Sequence, residues 1–89
     1  MGATEQPNSI APSGKFKKYA DITADVDLIA VGGGACRAIK CMVAGTVRVV
    51  SEAGDTEDWE FTAGTIEPIR CIKIIDSGTG SNLKVHVYW

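Results

Sequence analysis

The sequence predicts an all-β fold: a small antiparallel sandwich or barrel of about five to seven strands, led in by an extended N-terminal arm. Three observations predict it. Apolar and polar residues alternate with period two in several short runs, most cleanly in Leu83-Lys84-Val85-His86-Val87-Tyr88-Trp89. Gly-containing turns separate those runs, at Ala44-Gly45, Ala53-Gly54, Ala63-Gly64 and Gly78-Thr79-Gly80. No long segment carries the 3.6-residue period of an amphipathic helix.

Residues 1–23 read as the arm and 24–89 as a single β domain. Pro7, Asn8, Ser9, Pro12, Ser13 and Gly14 give the start of the arm no periodicity. Proline removes a ladder donor and favours extended or turn backbone. Lys15, Lys17 and Lys18 then surround Phe16, with Tyr19 next. In an acidic chain this reads as a solvated segment whose aromatic packs on the domain or on a neighbour, ahead of a polyanion site.

Val26 and Leu28 share a face in an edge strand or extended lead-in, with a short helix as the alternative, and Gly32-Gly33-Gly34 ends either one. The dinucleotide fingerprint needs a third glycine where Arg37 stands, and no Gly-Lys-Ser/Thr follows for a P-loop. The glycine run therefore reads as a flexible joint between arm and domain.

Arg37 to Ser51 reads as a β-hairpin turning at Ala44-Gly45. Ile39, Cys41 and Val43 share one face of its first strand; Ala38, Lys40 and Met42 share the other. Gly45 is the residue able to take a left-handed conformation there. Beyond a polar connection, Trp59 and Phe61 face inward while Asp58 and Glu60 face solvent. The acids from Glu52 to Glu60 read as a solvated face, one able to complement the lysines around Phe16 in a neighbouring subunit. Pro68 opens the next run, in which Ile69, Cys71, Lys73 and Ile75 alternate with Arg70, Ile72 and Ile74. Apolar residues on both sides predict a strand covered on both faces. In the last strand Leu83, Val85, Val87 and Trp89 face inward, and Lys84, His86 and Tyr88 outward.

With 89 residues and a net charge of −2, the chain offers one small domain and no basic footprint for nucleic acid. A domain this small gains from burial supplied by neighbouring copies. No apolar run approaches a membrane span, and the start has neither a signal peptide's basic and apolar regions nor, with Gln6 at position six, a myristoylation signal. A soluble protein made in the cytosol is expected. Cys36, Cys41 and Cys71, with His86 as the single histidine, form no zinc spacing. They read as buried, reduced thiols, with Cys36 and Cys41 on opposite faces if both lie in one strand. His86 has no partner placed by sequence for a catalytic triad. No cofactor, metal or catalytic residue is expected.

The run from Arg37 to Trp89 resembles the small spike-base-type proteins of tailed phage and gene-transfer-agent particles. The resemblance lies in the order and spacing of Arg37-Ala38-Ile39, Ala44-Gly45-Thr46-Val47-Arg48-Val49, Trp59-Glu60-Phe61, Ala63-Gly64-Thr65-Ile66-Glu67-Pro68-Ile69-Arg70, Ser77-Gly78-Thr79-Gly80 and an aromatic C-terminus. Cys41 and Cys71 stand where that family usually has aliphatic residues. The resemblance implies a non-enzymatic virion component made in the host cytoplasm. Such a protein is a homo-oligomer serving as capsid spike base, decoration protein or fibre mount, with capsid or fibre proteins as partners and neither nucleic acid nor membrane. A tail- or fibre-associated adaptor, and a carbohydrate-binding module using Trp59, Tyr88 and Trp89, are the alternatives. The expected subunit interface comprises Phe16, Lys17, Tyr19, Met42, Ile72, Ile74, Tyr88 and Trp89.

Overall fold

A computed structural model describes residues 15–89 of the protein. In chain order it contains β1 (Phe16–Tyr19), β2 (Val26–Asp27), α1 (Leu28–Gly32), β3 (Ala38–Cys41), β4 (Gly45–Ser51), β5 (Thr56–Phe61), β6 (Ile66–Glu67), β7 (Cys71–Ile75) and β8 (Val85–Tyr88). The strands form two four-stranded sheets, ordered β1-β8-β3-β6 and β2-β7-β4-β5. Every pairing is antiparallel. The all-β expectation holds, with eight strands because two of them, β2 and β6, are only two residues long.

The core lies between the sheets. Ile39 and Cys41 of β3 and Val85 and Val87 of β8 meet Val47 and Val49 of β4, Phe61 of β5 and Ile74 of β7. Ile22, Leu28 and Leu83 close its margins. The alternation in β8 is as the sequence indicates, with Val85 and Val87 buried and His86 and Tyr88 half-buried on the outside.

The hairpin expected across Ala44-Gly45 does not form. β3 pairs with β6 and β8, whereas β4 pairs with β5 and β7. Each strand is central in its own sheet, so neither has an edge left for the other. Residues 42 and 43 still follow the first sheet, Met42 N–H donating to Lys84 O and Val43 N–H to Leu83 O, both at 3.1 Å. The chain then crosses to the second sheet. Val43 is consequently exposed rather than in the core. Gly45 is not among the left-handed glycines. It is required by close approach: a Cβ there would lie 2.6 Å from Leu83 Cδ2.

A β-bulge reorganises β7. Val50 sits opposite Lys73 but Ser51 sits opposite Cys71, leaving Ile72 as the extra residue. One added residue reverses the alternation. Cys71 and Ile74 therefore both reach the core, while Ile72 and Ile75 are half-buried. The two-sided apolar pattern of this run reflects that change of phase.

Residues 15–23, expected as part of the arm, contribute β1, which pairs with β8, and the buried Ile22. The remainder of the expected arm, residues 1–14, lies outside the described residues. The glycine run has a structural role other than a flexible joint. Asp27 caps α1 by accepting from Ile29 N–H and Ala30 N–H, and Gly33 ends it at φ 87°. Gly32 is the seat of Trp89, since a Cβ on it would fall 2.0 Å from Trp89 Cε2. The indole Nε1–H lies 2.8 Å from Gly34 O and 3.2 Å from Leu28 O, donating to both.

Candidate functional site

Three features stand out: the outer face of the first sheet, the outer strand of the second, and a cleft beside that strand. On the outer face of the first sheet, antiparallel register places Lys18 opposite His86, His86 opposite Lys40, and Lys40 opposite Ile66. The next row holds Phe16, Tyr88 and Ala38. The Phe16 and Tyr88 rings are 6.3 Å apart and tilted by 35°. Burial, reinforced by the charges of Lys40 and Lys18, holds the His86 imidazole below its ordinary pKa. Its direct cross-strand neighbours are Lys18 and Lys40.

The expected interface residues fall into two groups. Phe16 is 58% exposed and Met42 43%, and Lys17 is also open to solvent, with Nζ 5.7 Å over the Tyr19 ring. Tyr88 and Ile72 are half-buried. Tyr19 and Trp89 pack against the core of their own chain. Ile74 is 0% exposed, which removes it from the expected set, because the bulge turns it inward.

The strand β5 ends the second sheet. Asp58 and Glu60 face out and are exposed, as the alternation indicates. Arg48 donates a fork to Asp58, Nε to Oδ1 at 2.7 Å and Nη2 to Oδ2 at 3.2 Å, and Thr46 Oγ1 donates to Glu60. A second fork joins Arg70 to Glu52 at 2.9 and 3.1 Å. Hydrogen bonding from the guanidinium lowers the pKa of each carboxyl. Both pairs stand in solvent and contribute little to stability.

Beside β5 lies a cleft of about 170 Å³. Trp59, Glu57, Asp55 and Arg70 line it together with Val49 and Cys71. Register explains the grouping. Trp59 sits opposite Val47 and Glu57 opposite Val49, so both point to the core side at the sheet's margin. The cleft was not visible in the sequence, because the bulge that turns Cys71 toward it has no local signature.

All three cysteines are free and buried, as their sequence context indicates. Cys36 and Cys41 share the core rather than opposite faces, since Cys36 precedes β3. Burial pushes the Cys41 thiol up to about 11. Cys36 Sγ is 3.3 Å from Cys71 Sγ, and its thiol donates to Ile69 O at 3.3 Å. Among the described residues no group of three His, Cys, Asp or Glu side chains could hold a metal ion. No helix among them is long and apolar enough to cross a membrane.

The site belongs to a two-sheet antiparallel β protein with one short helix among the described residues. No protein-family model matches the chain, no curated protein is similar to it, and no solved structure matches it.

Proposed function

We propose that the chain is a structural subunit of a tailed-phage particle, a homo-oligomeric capsid spike base, decoration protein or fibre mount without catalytic chemistry. The observation that carries this reading is the opposite charge of two sheet-terminal strands. β1, with Lys17 and Lys18, ends one sheet, and β5, with Glu57, Asp58 and Glu60, ends the other. Strands at sheet ends are templates for pairing with another chain. Two different, complementary edges favour a head-to-tail contact between copies, and such contacts close into rings when the rotation allows. The exposed Phe16 beside Tyr88 supplies an aromatic anchor at the first edge. The resemblance of Arg37 to Trp89 to spike-base-type proteins points the same way.

Mass measurement in solution across a salt series tests the proposal. The expected result is a multimer at low salt that loosens as salt rises. Lys17→Glu with Lys18→Glu should lower the mass, and Glu57→Lys with Glu60→Lys in a mixed partner should restore it. A monomer at every salt and protein concentration refutes the assembly. Absence of the protein from purified particles refutes the virion location.

The cleft favours a second reading, a small carbohydrate-binding module contacting the host surface. Trp59 offers a stacking face, and Glu57, Asp55 and Arg70 offer polar groups at its margin. Glycan-array binding that disappears in a folded Trp59→Ala variant would select this reading over the first.

A further inference from the structure

The buried dithiol connects the two sheets at one point. Cys36 lies just before β3 of the first sheet, and Cys71 is the first residue of β7 in the second. Their backbones are already tied, Cys36 N–H donating to Cys71 O at 3.0 Å. Their sulfurs are 3.3 Å apart, so a bond of about 2.05 Å needs only a small side-chain movement. Cys41 makes no such approach and stands as an internal control. We infer that Cys36 and Cys71 form an oxidative modification site, which a small hydroperoxide converts to a disulfide joining the two sheets.

The chemistry balances as a two-electron oxidation. One thiolate attacks the outer peroxide oxygen; an S–O bond forms, the O–O bond breaks, and the departing oxygen leaves as alcohol or water. The second thiol then attacks the sulfenic sulfur. The S–S bond forms, the S–O bond breaks, and the hydroxyl leaves as water with the thiol proton. Two thiols and one hydroperoxide give one disulfide, one alcohol or water, and one further water. Hydrogen bonding from Cys71 holds the Cys36 thiol below its ordinary pKa and that of Cys71 above it, which suits Cys36 to the first step and Cys71 to the second. Both side chains are shielded from bulk solvent, which keeps bulky disulfides out. Cys71 is one of the residues lining the cleft beside β5, and because neither thiol has exposed surface, a small hydroperoxide reaches the pair as that wall opens locally.

The test uses the full chain, treated with hydrogen peroxide, digested with trypsin and analysed by mass spectrometry with and without dithiothreitol. Cleavage after lysine and arginine places Cys36, Cys41 and Cys71 in the separate peptides 19–37, 41–48 and 71–73. The expected product joins 19–37 to 71–73, with loss of two hydrogens, and dithiothreitol reverses it. Sulfoxide on the exposed Met42 reports that oxidant was delivered. The bridge closes a span of 35 residues, so the oxidised protein should melt on the order of 10 °C higher. The Cys41→Ser variant should keep that rise, and Cys71→Ser should lose it. A disulfide involving Cys41 would overturn the proposal. So would free Cys36 and Cys71 after Met42 has been oxidised, or their conversion to sulfinic acids without a link.

Discussion

Replacing Gly32 with alanine should destabilise the protein, although the same change in a helix ordinarily stabilises it by about 1 kcal/mol. Gly32 lies in α1 with its Cα facing the Trp89 indole, and the new Cβ would fall 2.0, 2.1 and 2.3 Å from three ring atoms. A rigid ring cannot fold away from such a contact, so the indole must leave its seat. Leaving breaks the Nε1–H donations to Gly34 O and Leu28 O, each worth about 1 kcal/mol net. Part of the ring's packing on the core goes with them, and full loss of a buried Trp costs about 3–5 kcal/mol. Set against the helix gain, the net destabilisation is about 2–3 kcal/mol, or a melting point lowered by about 10–20 °C. Urea unfolding followed by far-UV circular dichroism measures it. The coupling is the stricter check: in a Trp89→Ala background the clash is gone, and Gly32→Ala should then be neutral or slightly stabilising. Equal stability of wild type and the single Gly32→Ala variant would refute the account of the glycine run as a seat for Trp89.

Other consequences are open to equally direct measurement. Gly45→Val should lower the melting temperature because its side chain meets Leu83, and pairing it with Leu83→Ala should recover part of the loss. The His86 imidazole should titrate below the ordinary histidine value by NMR, and Lys40→Met should raise the midpoint. The sign follows from linkage: a histidine held low in the fold contributes stability present above its unfolded pKa and lost as pH falls through the folded one, so wild type should lose more stability than His86→Gln below about pH 6.5. Cys41, buried and raised to about 11, should resist a thiol reagent at pH 8 in the folded protein and react once denaturant is added; rapid native labelling would contradict its burial.

The strands legible in the sequence were those whose two faces differ. Leu83 to Trp89 alternates, and so do Trp59 and Phe61 with Asp58 and Glu60, because one side of each is core and the other solvent. Partner choice was not legible. Ala38–Cys41 and Gly45–Ser51 sit close in sequence and carry turn residues between them, but period two says nothing about which strand lies alongside. Ile74 was misplaced because a bulge opposite Val50 and Ser51 shifts the phase by one, a long-range fact absent from residues 71–75. The same limitation hid the Cys36–Cys71 contact and the cleft, since each joins residues that only the completed sheets bring together. Gly45 was expected for a left-handed turn and is needed for clearance instead, two demands that the letter G does not distinguish.

The order β1-β8-β3-β6 has a consequence for how the chain acquires its structure. Its interior strand β8 is the last of the eight strands among the described residues, and it is flanked by the first of them, β1. During synthesis β4 and β5 can zip together as a local hairpin, but β1 and β3 must wait for residues 85–88 before either has its main partner. Such long loop closures make for slow folding, and the first sheet assembles after translation has passed it. Until then Ile39 and Cys41 remain uncovered, a window in which a chaperone or a second nascent copy meets the chain before β8 does.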